Sequence, residues 1–273
     1  MNRAHFHAIR TTAPAFGALA LVCLALSLTA LIPAQGPDPV GLEATVERVA
    51  GAEFTTLHGE IHQRTVIPGI PGEGNASERA AVRIFDVTLE RPNRCRVSVI
   101  SPSETTDGLI VSDGEQILCV SNVLSQVRVG EAPTDLSEIS ERDLVLCGMG
   151  SSVLLPAALG MASPPLTALR PEELGEIQAL DSAEIADNTC DVFEITAERG
   201  GATLTLTLAI DRESDLLRRV EMTMGAATSE VVSRVTEEYL WLDVDEPIGD
   251  GVFEINPPAD MPVVSAFSTT ALH

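Results

Sequence analysis

The sequence predicts an α+β protein: a long, strongly curved antiparallel sheet folded over a helical insertion. Three observations predict it. Residues 91–130, RPNRCRVSVISPSETTDGLIVSDGEQILCVSNVLSQVRVG, read as consecutive short strands broken at Asp107-Gly108 and Asp113-Gly114. Asp-Gly between apolar alternating runs supplies positive φ at low cost and marks hairpin turns. From Ala202 to Ile210 the alternation has no fault, with Leu204, Leu206, Leu208 and Ile210 on one face and Thr203, Thr205 and Thr207 on the other, the two-residue period of a strand with one dry face. Between these regions, over residues 134–177, the period changes. Ser140 with Asp143 has the form of a capping box, and Pro171-Glu172-Glu173 that of a first helical turn. Val153, Leu154, Leu155, Ala158, Leu159 and Met161 form an apolar helical segment between them. Many strands around one helical block argue for a sheet with one face covered by that block.

Taken in order, the chain opens with Arg3 and Arg10 and no acid, then an apolar stretch from Ala13 to Ile32, then Pro33-Ala34-Gln35-Gly36. This is the layout of a secretory signal, cut near Ala34; if retained, the stretch is long enough to anchor the chain in a membrane. Asp38 is placed to cap a helix with Pro39 at its first position and Gly51 at its end. Glu53–Thr65 alternates as a strand, and residues 66–78, VIPGIPGEGNASE, hold too many Gly and Pro to continue a ladder. The sequon Asn75-Ala76-Ser77 in that loop is a short pattern best read as chance. Ala80–Glu90 leads into the meander. After the helical block, Gln178–Ile185, Thr189–Arg199, Ala202–Ile210, Leu217–Met224 and Ser229–Val244 return to strands. The expected division is a leader or anchor at 1–34, one domain at 35–262 and a tail at 263–273.

Acids number 40 against 17 bases, every base is Arg, and the net charge is −23. Such a surface repels phosphate backbones and anionic lipid head groups, which argues against nucleic-acid partners and electrostatic docking on a bilayer. Four cysteines follow the leader, Cys95, Cys119, Cys147 and Cys190, with no Cys-x-x-Cys. In an exported chain an even count permits disulfides in three pairings. Cys95 and Cys119, on strands close in sequence, are the favoured pair; buried reduced thiols are the alternative.

Signals for chemistry are sparse. His58-Gly59-Glu60-Ile61-His62 places two imidazoles and a carboxylate on one strand face, a zinc ligand set by type. The spacing is wide for one ion, and with Leu57 and Ile61 on the opposite face the favoured reading is a solvated strand face. Gly148–Ser152 lacks the Gly-x-Ser-x-Gly pattern, and Gly69, Gly72 and Gly74 lack a phosphate-binding Lys. Asp243–Asp250 lacks the ordered spacing of a calcium loop. Seven Phe, one Tyr and one Trp leave little for sugar platforms. The expectation is a non-enzymatic protein without a cofactor.

Several segments, in series, resemble the periplasmic lipoprotein-carrier superfamily of LolA-, LolB- and RseB-like proteins. They are the leader with the helix at 38–50, RPNRCRV at Arg91–Val97, VSDGEQILCV at Val111–Val120, LTLAIDRESDLLRRVEM at Leu206–Met222 and VFEINPPADM at Val252–Met261. The resemblance implies an unclosed half-barrel capped by helices, with an apolar cavity for acyl chains or a hydrophobic partner segment. The implied wall is Val153, Leu154, Leu159, Leu204, Leu206 and Leu208, residues a filled core would use as well. The expected function is an exported binding protein holding a lipid, the acyl chains of a lipoprotein or a hydrophobic segment, with membrane contact transient or through an uncleaved N-terminus. The alternatives are an envelope-stress sensor of RseB type that binds a membrane protein, and a metal-dependent hydrolase using His58, Glu60 and His62.

Overall fold

A computed structural model of the chain describes Val49 and residues 52–67, 79–100, 106–161, 174–199, 202–226 and 232–268. The leader, the helix expected at 38–51 apart from Val49, the sequon and the turn at Pro171–Glu173 lie outside the described residues. The strands are β1 (Thr56–Ile67), β2 (Arg79–Glu90), β3 (Arg94–Ile100), β4 (Thr106–Asp113), β5 (Gln116–Ser121), β6 (Gln126–Glu131), β7 (Leu174–Ile185), β8 (Asn188–Arg199), β9 (Ala202–Asp211), β10 (Leu217–Ala226), β11 (Val232–Val244) and β12 (Val263–Val264). They form one unclosed sheet in the order β12-β6-β5-β4-β3-β2-β1-β11-β10-β9-β8-β7. It consists of two antiparallel meanders, β1–β6 and β7–β11, joined where β1 pairs with β11 from Leu57↔Val244 to Val66↔Arg234. Among these strands only β12 runs parallel to its neighbour, β6.

The expected α+β class is corrected to a sheet-dominated fold. Among the described residues the α-helices are α1 (Glu141–Leu146), of six residues, and α2 (Leu154–Ala158), of five. Short 3₁₀ turns at Leu136–Glu138 and Asp250–Phe253, and the helical residue Val49, complete the helical content there. The reason lies in the punctuation of the segment. Gly148 and Gly160 sit at φ 79° and 75° just beyond α1 and α2, positions where glycine ends a helix cheaply. Residues 174–177, assigned to the insertion by sequence, belong to β7. Ser140 does precede α1, but its side chain makes no cap bond. Asp143 binds Arg128 instead, Nη2 donating to Oδ2 at 2.6 Å.

Asp113-Gly114 is the expected turn: Gly114 adopts φ 97° and Asp113 Oδ1 accepts from the N–H groups of Glu115 and Gln116 at 2.8 and 2.7 Å. The second expected turn is not one, since Gly108 lies inside β4. A Cβ there would stand 1.9 Å from the carbonyl oxygen of Cys147, so this glycine admits a close backbone approach.

The core lies on one face of the sheet, where Leu57, Ile61, Phe85, Val87, Leu89, Ile195, Leu206 and Leu208 pack with Leu144, Leu154, Leu155 and Leu159 of the α1–α2 segment. Val49 packs against the same core. On the opposite face Val111, Leu118, Val120 and Val127 are covered by Ile255 and Met261. The segment expected as a tail supplies β12 and the buried Phe267.

Candidate functional site

The inner face of the sheet meets a cap formed by residues 150–161. Leu154, Leu159, Leu206 and Leu208 are at most 1% exposed and Val153 is 8% exposed, in one continuous cluster. These five side chains fill the space between cap and sheet. Leu204 is half-buried, and the apolar face continues past the cap: register pairs Leu206 with Met222 and Leu204 with Met224. Met222 is half-buried, Met224 is 37% exposed, and Ile67, at the same end of β1, is 41% exposed. One end of the inner face is thus an apolar strip open to solvent.

The cap is fastened by Glu237. Strand alternation puts it inward between Val235 and Tyr239, and it is fully buried. Its Oε2 accepts from the Val153 N–H at 2.8 Å, the Leu154 N–H at 3.0 Å and Ser152 Oγ at 3.0 Å, while Oε1 accepts from Gln63 Nε2 at 2.6 Å. Gln63 Nε2 also donates to the Ser151 carbonyl at 2.8 Å, and Arg83 Nη1 donates to Ser151 Oγ at 2.8 Å. Burial pushes the Glu237 pKa above the usual carboxylate range, against the opposing hydrogen bonds from Leu154, Val153, Gln63 and Ser152. Sequence reasoning missed this residue. The signal was the face it shares with Val235 and Tyr239.

The segments that carry the family resemblance serve as staples. Arg91 lies 4.4 Å over the ring of Phe54 and donates to the Ala158 carbonyl at the end of α2 at 3.4 Å. Arg94 lies 4.5 Å over Phe253 and pairs with Glu90 at 2.9 Å. Asp211 and Arg218, both buried, pair across the β9–β10 hairpin at 2.7 Å. Burial raises the Asp211 pKa, but the Glu213 N–H and the Arg218 pair outweigh it and the net shift is downward.

On the opposite face His58, Glu60 and His62 do share one side of β1, but they do not converge. His62 Nε2 bonds Glu60 Oε1, whereas His58 turns edge-on to Trp241 with ring centroids 4.7 Å apart and lies 3.9 Å from Asp86. Among the described residues no three His, Cys, Asp or Glu gather as a metal set. His58 and Asp86 instead edge an open polar groove of about 380 Å³, with Arg96 and Asn256. The expected Cys95–Cys119 bridge is corrected as well: both thiols are free and buried. Cys95 pairs with Ser112 and Cys119 with Ile110, so β4 separates them. Two strand spacings amount to about 9.5 Å, beyond the roughly 7 Å Cα limit of a disulfide.

A family model described as predicted periplasmic protein (DUF2092) matches residues 78–265. The chain belongs to this family. The location expected from the leader agrees with that description, so this DUF2092 member is an exported protein of the periplasm or cell envelope. No curated protein matches it. Similar solved structures include the lipoprotein LppX of Mycobacterium tuberculosis, with 14% identity over 78% of this chain and 99% of that one at a TM-score of 0.41. An uncharacterized conserved protein of Thermus thermophilus shows 10% identity over 81% and 97% at 0.41. A LolA-superfamily protein of Nitrosomonas europaea shows 12% over 78% and 97% at 0.31.

Proposed function

We propose that this exported protein is a non-enzymatic carrier that holds a lipid, or the acyl chains of a lipoprotein, against the inner face of its sheet. Within a single domain that begins near residue 35 and takes in β12, the wall consists of Val153, Leu154, Leu159, Leu204, Leu206 and Leu208. The observation that carries this reading is the open apolar strip of Leu204, Met222 and Met224, which continues the buried wall to solvent. Acyl chains dock on such a strip by losing apolar surface to the protein, at about 25 cal/mol per Å². Deeper entry requires the cap to lift from Leu206 and Leu208, and three hydrogen bonds from the cap to Glu237 oppose that motion. Loading is therefore coupled to the cap and does not use a standing void.

Extraction of the protein purified from its native envelope, followed by lipid mass spectrometry and titration with a fluorescent fatty acid, tests the reading. Stoichiometric lipid, or saturable binding competed by unlabelled fatty acid, is expected. A protein that comes out empty and binds no fatty acid, while retaining a defined membrane-protein partner, overturns it in favour of the sensor reading.

A further inference from the structure

Of the four cysteines, two meet. Cys119 on β5 and Cys147, just after α1, are both fully buried in the same core cluster, with Cys147 seated over Gly108, which is paired with Ser121, two residues along β5 from Cys119. The meeting point is held from several sides. The backbone of Cys147 lies directly on Gly108, where any Cβ would collide with it. Ser121 Oγ, two residues after Cys119, donates to the Leu146 carbonyl at 2.5 Å. Arg128, the cross-strand partner of Cys119, donates through Nη2 to Cys119 Sγ at 3.4 Å and to Asp143 Oδ2 at 2.6 Å, one helical turn before Cys147. Cys95 is two strands away, and Cys190 lies in a separate cluster with Ile185 and Ala209.

The geometry points to a disulfide between Cys119 and Cys147 in the exported protein, formed by exchange with a protein disulfide oxidant and locking α1 onto β5. Cysteines brought together in the core of a protein of an oxidising compartment are the setting in which such bonds form and persist. The exchange balances. The Cys119 thiolate attacks the oxidant's disulfide and expels one of its sulfurs as thiolate. Cys147, giving up its proton, then attacks Cys119 Sγ in the mixed disulfide and expels the second. Two electrons and two protons pass to the oxidant, which leaves as a dithiol. Because both sulfurs are buried in the finished fold, the exchange precedes closure of the core.

Full-length protein secreted to the periplasm, denatured and alkylated without reductant, should show two reactive thiols of the mature four, rising to four after reduction. Non-reducing digestion should yield one linked peptide pair containing Cys119 and Cys147. Reductant should lower the Tm by about 10 °C, given the loop closed and the size of the domain. The variants Cys95→Ser and Cys190→Ser, outside the pair, should keep the linked peptide. Four reactive thiols in the secreted protein, or a linked pair containing Cys95 or Cys190, overturns the assignment.

Discussion

Gln63 on β1 and Glu237 on β11 face each other across the seam between the two meanders, a register pair with Nε2 donating to Oε1 at 2.6 Å. The same carboxylate holds the first turn of α2. One side chain thereby ties together both halves of the sheet and the cap above them. Glu237→Ala would leave two backbone N–H groups and a hydroxyl without their acceptor in the core and cost the Gln63 amide one of its two bonds, at an expected cost of about 3–5 kcal/mol. Glu237→Gln keeps an oxygen for the α2 donors and should cost less than half as much. Urea unfolding monitored by Trp241 fluorescence measures both.

The pH dependence of these carboxylates should run in opposite directions. Glu237 has a raised folded pKa, so the native state holds its proton longer than the unfolded chain, and its contribution falls as pH rises above the unfolded value near ~4.3. Wild type should therefore gain stability relative to Glu237→Gln as pH falls from 7 toward that value. Asp211 has a lowered folded pKa, so its contribution is present above the unfolded value near ~3.9 and is lost as pH falls through the folded one. The deficit of Asp211→Asn should shrink below about pH 4. Parallel curves for all three proteins between pH 3 and 8 would refute both assignments.

Gly108→Ala should destabilise by about 3 kcal/mol, since the clash is with the Cys147 carbonyl oxygen at 1.9 Å and no side-chain rotation relieves it. Gly251→Ala, which has open space around it, serves as the control and should be near neutral by thermal unfolding.

Met224→Glu places a charge on the open apolar strip without touching the cap. Fatty-acid affinity should fall about tenfold or more, the equivalent of one lost apolar contact together with a desolvated charge. Thermal stability should change little, because Met224 is partly solvent-exposed. An unchanged fluorescent-lipid titration would remove the strip from the binding surface.

Strand periodicity was legible where a strand has one dry face, as in β1 and β3. The run Leu204 to Ile210 and the turn at Asp113-Gly114 both follow from local residue chemistry alone. The helical block misled because its apolar residues do face the sheet, yet glycines limit α1 and α2 to little more than a turn each. Gly108 read as a turn because the reason for that glycine is a carbonyl 39 positions later in the chain. Glu237 sits beside Glu238, and composition treats the two alike; only the parity of the strand distinguishes the buried one. The Cys95–Cys119 pairing failed for a related reason: nearness in sequence put the two on strands of one meander, but β4 lies between them.

An unclosed sheet also has two rims, and a rim is an invitation to polymerise. At one end β12 shields β6 for two residues. At the other, β7 is the edge strand among the described residues, but it is bulged after Leu180 and carries exposed Asp181 and Glu184. Two copies approaching rim to rim would bring these carboxylates together, within an overall charge of −23 on each copy. The acidity that argued against nucleic acid thus acquires a second task, keeping a protein with adhesive edges from joining itself in the crowded envelope.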